Sequence, residues 1–272
     1  MKAAIVVLLH SLRRVRNLVL GVAMLLGLFQ VVMIFVARTL ENSGQFAQLA
    51  ALLPPFVRAL LGPAMTAFLS FAGIVSLGYF EPAVLGAVIG VAIAVSTRLT
   101  LEIESGFMDL ILARPIARHW VVTRSIFVSL VAIVVMMLAM LMGTWAGLST
   151  LAPGRVEWPA PSLIVSLGAN LGALGLCWSG IALAIAAGSR RRGSAGAWSA
   201  VLTLIAFLAD YVAQLWEPAK AIARFSPFTY FRPLDLVMGG QLPLQSVTIL
   251  LAITLAGFAV AYFLFLRRDI SR

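Results

Sequence analysis

From 18 to 37 the chain runs twenty residues without a charged side chain. At about 1.5 Å of rise per residue, a helix of that length covers the ~30 Å hydrocarbon core of a bilayer. Lipid offers no partner for backbone N–H and C=O groups, so such a stretch is expected to be helical. Predominantly apolar runs recur at about 83–97, 121–148, 163–188, 195–215 and 244–266, with one charge each in the third and fifth spans. The second of these six runs is short and has room to borrow residues from either flank. Composition agrees: 62% of residues are hydrophobic and 11% charged, where a soluble domain is roughly half apolar and a quarter charged. The expected fold is an all-α polytopic membrane protein, a single transmembrane domain over 1–272 with about six spans.

The connections carry further information. In 1–17, Ile5, Leu8, Leu9, Leu12 and Val15 recur at helical spacing beside Lys2, Arg13, Arg14 and Arg16. That is the pattern of an amphipathic helix in the inner membrane interface. The apolar run behind it is too long for a signal peptide and has no small-x-small cleavage site. Segment 41–82 reads as an external loop with a short interfacial helix. Within it, 64–80 is apolar but short, broken by Gly78 and Glu81-Pro82. It reads as a re-entrant or interfacial segment; the alternative, a span of its own, would upset the charge alternation. Proline-rich connections follow at 153–161 and 216–243.

With the N-terminus placed in the cytoplasm, fourteen Lys and Arg residues fall inside and six outside. This bias predicts cytoplasmic N- and C-termini. The net charge of +10 could suggest nucleic acid, but the basic residues sit at the edges of apolar runs and form no face interleaved with aromatics. No nucleic-acid partner is expected; membrane lipids are. Cys177 is the only cysteine, so no intrachain disulfide can form, and its apolar setting (171–187) reads as a small buried hydrophobe. His10 and His119 are far apart, beside arginines and outside the spans, which argues against haem or metal ligation.

One inside loop, 98–120, differs from the rest. Three of the chain's ten acidic residues, Glu102, Glu104 and Asp109, fall within eight positions. Ile103, Phe107, Leu110 and Ile111 form an apolar stripe at helical spacing, with Glu102, Ser105 and Asp109 on the opposite side. Pro115 disfavours helix at Arg114, so a first helix is expected to end near Ala113. A second would then feed the third span. The composition alone leaves two readings even: a helix that merely coats the membrane, or one that passes a push from a cytosolic partner.

The run from Glu102 through Glu104, Gly106, Leu110, Leu112, Ala113, Arg114 and Pro115 to Arg118 resembles the signature loop of permease subunits of ABC-2 type transporters. It lies between the second and third of six spans, where that family has it. The basic N-terminal helix, Ser226-Pro227-Phe228 in the last external loop and the Phe265 to Asp269 ending are similar too. The resemblance implies a type V exporter-like permease architecture. It makes the loop a coupling helix, with Glu102, Glu104, Gly106, Phe107, Asp109, Leu110, Arg114, Pro115 and Arg118 as the segment that docks on a separate ATPase. It further implies a complex of two permeases, identical or homologous, and two ABC ATPase subunits, in a prokaryotic cytoplasmic membrane. ATP and magnesium would sit on the ATPase. This chain has only two lysines, Lys2 and Lys220, and neither follows a glycine as a P-loop lysine does. No cofactor and no catalytic role are therefore expected here.

Asp210 lies in the fifth run, about 7 to 10 Å from its outer end by helical rise. An intramembrane carboxylate marks a candidate translocation path; the alternatives are a partner such as Arg224 or a water-filled vestibule. Glycines at close-packing intervals (Gly86 and Gly90; Gly143 and Gly147; Gly168, Gly172 and Gly175) suit tight helix contact, more readily within one subunit than between two. The near absence of charge in the spans points to a hydrophobic or amphipathic cargo, and the resemblance implies its export. The competing reading is a secondary transporter driven by an ion gradient, which would need a carboxylate such as Asp210 near the midplane. A membrane enzyme is the third, but no Ser-His pair, His-Glu motif or carboxylate cluster lies in the spans.

Overall fold

A computed structural model describes residues 2–43, 70–105, 119–154 and 156–267, with side chains from Leu8 onward. Among these the chain is helical, with no strand. Helix α1 spans Lys2–Asn42, α2 Phe71–Leu77, α3 Pro82–Ser96, α4 Arg98–Glu104, α5 His119–Leu151, α6 Pro161–Gly188, α7 Arg192–Leu215 and α8 Leu244–Arg267. Short helical turns at Lys220–Ala223, Pro227–Tyr230 and Pro233–Val237 link α7 to α8. Among the described residues six helices are long and apolar enough to cross a membrane, the second being the run Phe71–Glu104. This is the architecture of a multi-pass membrane protein.

The ends of these helices follow local chemistry. Pro82 and Pro161 occupy the first turns of α3 and α6, where a missing N–H costs nothing and the fixed φ is already helical. Ser70 caps α2, its hydroxyl accepting from the Gly73 N–H at 3.0 Å. Nothing between 17 and 18 stops a helix, and α1 runs unbroken through the boundary at which the sequence reading separates an interfacial helix from the first span. Its buried face, Val15, Val19, Ala23, Leu26, Ile34 and Ala37, continues across that point. The seven residues of α2 rise only ~10 Å and do not cross a membrane. Instead α2 leads through the turn at 78–81 into α3, which lengthens the second span, as does α4 beyond Thr97. Residues 64–69 lie outside the described part.

Helix α6 is the hub, packed on α8, α3, α5 and α7. Of its most apolar window 72% is buried, against 17% for α7. Backbones meet closely at two crossings. A Cβ on Gly143 of α5 would collide with the Gly27 carbonyl oxygen of α1, and one on Gly257 of α8 would lie 2.5 Å from the Gly180 carbonyl carbon of α6. Gly147 abuts Ile34, and Gly168, Gly172 and Gly175 meet α5 or α3 side chains, so these glycines pack within the chain. Gly86 and Gly90 face open space.

These contacts also fix direction. Gly27 meets Ala139 and Gly143 while Ile34 meets Gly147, so α1 and α5 run parallel. Gly180 meets Thr254 and Gly257 while Gly188 meets Leu264, so α6 and α8 do too. Tyr79 bonds Thr144 and Glu102 bonds Arg124, so the second span runs opposite to α5. The spans alternate, and the N-terminal part of α1 and the C-terminal part of α8 share one end of the bundle.

Candidate functional site

At that shared end, α4 is fastened on three sides. Glu102 and Arg124 of α5 form an ion pair, their side chains 9% and 6% exposed. Thr100 Oγ1 donates to the Ala186 carbonyl of α6 at 2.9 Å. Glu104 Oε2 accepts from the Arg192 N–H, the first of α7, at 2.9 Å. A carboxylate there meets an unsatisfied N–H and the positive end of the helix dipole. Leu99 and Ile103 pack with Val121, Val122, Leu183 and Phe265. Ser11 and Arg14 of α1 share a small cavity with Arg98, Glu102 and Arg124. This end of the second span is thus bonded to three other spans, α5, α6 and α7.

This corrects one expectation. Glu102 lies on the side opposite the apolar stripe, yet it is buried against α5. The missed signal was Arg124, a lone cation four residues into the apolar run 121–148; such a residue needs a partner. Glu104 lies at the surface. Gly106, Phe107, Asp109, Leu110, Arg114, Pro115 and Arg118 lie outside the described residues, as does the expected end near Ala113.

Asp210 stands at the opposite end. It is half-buried, five residues before the end of α7. It pairs with neither Arg224 nor Arg232 but accepts from Thr229 Oγ1 at 2.8 Å and from Gln214 Nε2 at 3.3 Å. The chain after α7 folds back to make these contacts possible. Ser226 Oγ donates to the Ala206 carbonyl at 2.8 Å and accepts from the Phe228 N–H at 3.2 Å. Its turn drives Phe228 between Trp178 of α6 and Phe207 of α7, with ring centroids 5.7 and 5.5 Å away. Below this aromatic wedge opens a cavity of about 650 Å³ that Asp210, Thr229, Phe80, Phe207 and Phe228 help to line. Lys220, Arg224 and Arg232 stand around it. Lys220 is bonded to Glu217, and that bond, with the ammonium charge behind it, holds the exposed Glu217 carboxyl below the usual carboxylate range. Sequence reasoning found Asp210 but not Thr229, whose approach depends on the return of the loop.

Among the described residues no three of His, Cys, Asp and Glu converge to hold a metal. No protein-family model matches the chain. Comparison with curated proteins gives no significant match either.

Proposed function

We propose that this chain is the membrane-spanning permease subunit of an ATP-binding cassette transporter of the ABC-2 type, exporting an amphipathic or hydrophobic cargo with ATP hydrolysed on a separate subunit. The observation that carries this reading is the anchorage of α4. The acidic segment of the signature-like loop emerges from a helix end tied to α5 by Glu102–Arg124, to α6 by Thr100 and to α7 by Glu104. A push on the loop 106–118 therefore meets a joint that several spans share, which is what a coupling element requires. The basic bias of that end supports its cytoplasmic placement. The ion-gradient alternative loses weight, because Asp210 lies about 7.5 Å from the end of α7 rather than at the midplane and is bonded to neutral groups.

The test is co-purification of the full chain with a candidate ABC ATPase subunit co-expressed with it. Asp109→Arg with Arg114→Glu alters the loop without touching the anchors of α4. The wild type should carry the ATPase through size exclusion, and the double variant should release it while still inserting in the membrane. Retention of the ATPase by the variant, or no ATPase bound by either, would refute the proposal.

A further inference from the structure

The cavity beside Asp210 has the chemistry of a two-part ligand. Its wall is apolar and aromatic, from Phe80, Phe207 and Phe228, and its volume of about 650 Å³ falls within the roughly 300–1,000 Å³ usual for small-molecule sites. The charges around it are unequal in their commitments. Lys220 is paired with Glu217, and Arg232 lies 3.8 Å from Asp235. Asp210 accepts from Gln214 and shares the single Thr229 hydroxyl proton with the Ala223 carbonyl. Arg224 is left: it is exposed, lines the cavity and has no carboxylate partner among the described residues. Its own carbonyl accepts from Tyr230 Oη at 3.0 Å, which ties the backbone that presents the guanidinium. Next to it Phe225 is 89% exposed, and Leu215 and Trp216 near the end of α7 are 78% and 61% exposed. Such residues belong at the lipid–water boundary. The cavity thus opens where a headgroup and a chain would separate.

We infer that this cavity binds a single-chain amphiphile with an anionic head, the tail against Phe80, Phe207 and Phe228 and the head on Arg224. A guanidinium binds a phosphate or carboxylate through paired, charge-assisted hydrogen bonds. The inference names the class of cargo and rests on the proposed transporter reading for its role in transport; the binding itself does not require an ATPase.

The experiment measures binding of dodecyl phosphate to the purified full chain in nanodiscs of zwitterionic lipid, without any ATPase. Inorganic phosphate and dodecyl maltoside are the comparison probes. Dodecyl phosphate should bind, Arg224→Gln should weaken it about tenfold, as loss of a charge-assisted bond predicts, and Arg224→Lys should recover part of the loss. Dodecyl maltoside should bind more weakly and ignore Arg224. Phe207→Ser, on a partly lipid-facing position, should weaken both amphiphiles. Equal affinity for the two amphiphiles, or no effect of Arg224→Gln, would overturn the inference. So would inorganic phosphate binding with the same Arg224 dependence, the mark of a free-anion site. Because no ATPase is present, a failed pull-down leaves this result standing, and a failed binding test leaves the pull-down standing.

Discussion

Replacing Glu102 alone should be far worse than replacing it together with Arg124. The two side chains are 9% and 6% exposed, so each would be an uncompensated charge without the other. Breaking a buried pair costs about 3–5 kcal/mol, whereas exchanging both partners for apolar residues of similar volume is often neutral or stabilising. The surroundings add an asymmetry. Arg14 and Arg98 line the same small cavity, so Glu102→Leu leaves three guanidinium groups around it, while Arg124→Met leaves the carboxylate among two. Glu102→Leu should therefore be the more damaging single change. At roughly 2–4 °C per kcal/mol for a chain of this size, it should lower the melting temperature by on the order of 10 °C. The double variant should stay within about 1 kcal/mol of the wild type. The chain supplies its own probe: Cys177 is the only cysteine and is fully buried, so a thiol-reactive fluorogenic dye reports unfolding. A single variant that melts with the wild type, or a double variant that loses as much as the two singles combined, would refute the reasoning.

Close backbone contact makes Gly143→Ala costly, because the new Cβ would press on the Gly27 carbonyl; a loss of about 1–3 kcal/mol is expected. Gly90→Ala, facing open space, should not lower the melting temperature in the same dye assay. Phe228→Ala removes the wedge between Trp178 and Phe207 and should cost about 3–5 kcal/mol, with raised protease cleavage in 216–243. The Glu217 carboxyl is held low, so any stability it lends is present above the ordinary carboxylate range and fades as pH falls through its folded value. Being fully exposed, it should lend almost none. Glu217→Gln should leave the melting temperature unchanged at pH 4 and at pH 7.

The six runs were legible because hydropathy reports a requirement each helix meets alone: no lipid-facing backbone group goes unpaired. Where the requirement is shared between segments, the sequence said less. The boundary placed at 17 misread a change of composition as a change of structure, since basic residues leave the lipid without ending a helix. The second span looked short because its ends, α2 and α4, are separated from α3 by turns at 78–81 and Thr97 that break the periodicity. Glu102 was assigned to the wrong environment because burial of a carboxylate depends on a cation 22 positions away. The depth of Asp210 followed from helical rise; Thr229 did not, since it reaches Asp210 only through the anchoring of Ser226 on Ala206.

On the proposed function, α7 is the element best placed to carry a signal between the two ends. The rest of the bundle is clamped at the glycine crossings of α1 with α5 and α6 with α8, while α7 buries only Ala195, Ser199 and Ala213. A lightly packed helix moves at lower cost than one seated in a close-packed core. Its first N–H is held by Glu104, and its last turns form the cavity wall with Phe207 and Asp210. Arg192→Pro tests the link selectively. Arg192 is the first residue of α7, where proline is tolerated, and Arg191 is extended at φ −124°, ψ 136°, the region a residue before proline prefers. The substitution removes the N–H that Glu104 accepts; Arg192→Gln removes the side-chain charge and keeps that N–H. If α7 transmits through this bond, Arg192→Pro should keep the ATPase bound and the stability within ~1 kcal/mol of wild type, yet lose most of the transport that Arg192→Gln retains. Equal transport by the two variants would show that the Glu104–Arg192 hydrogen bond is a helix cap and nothing more.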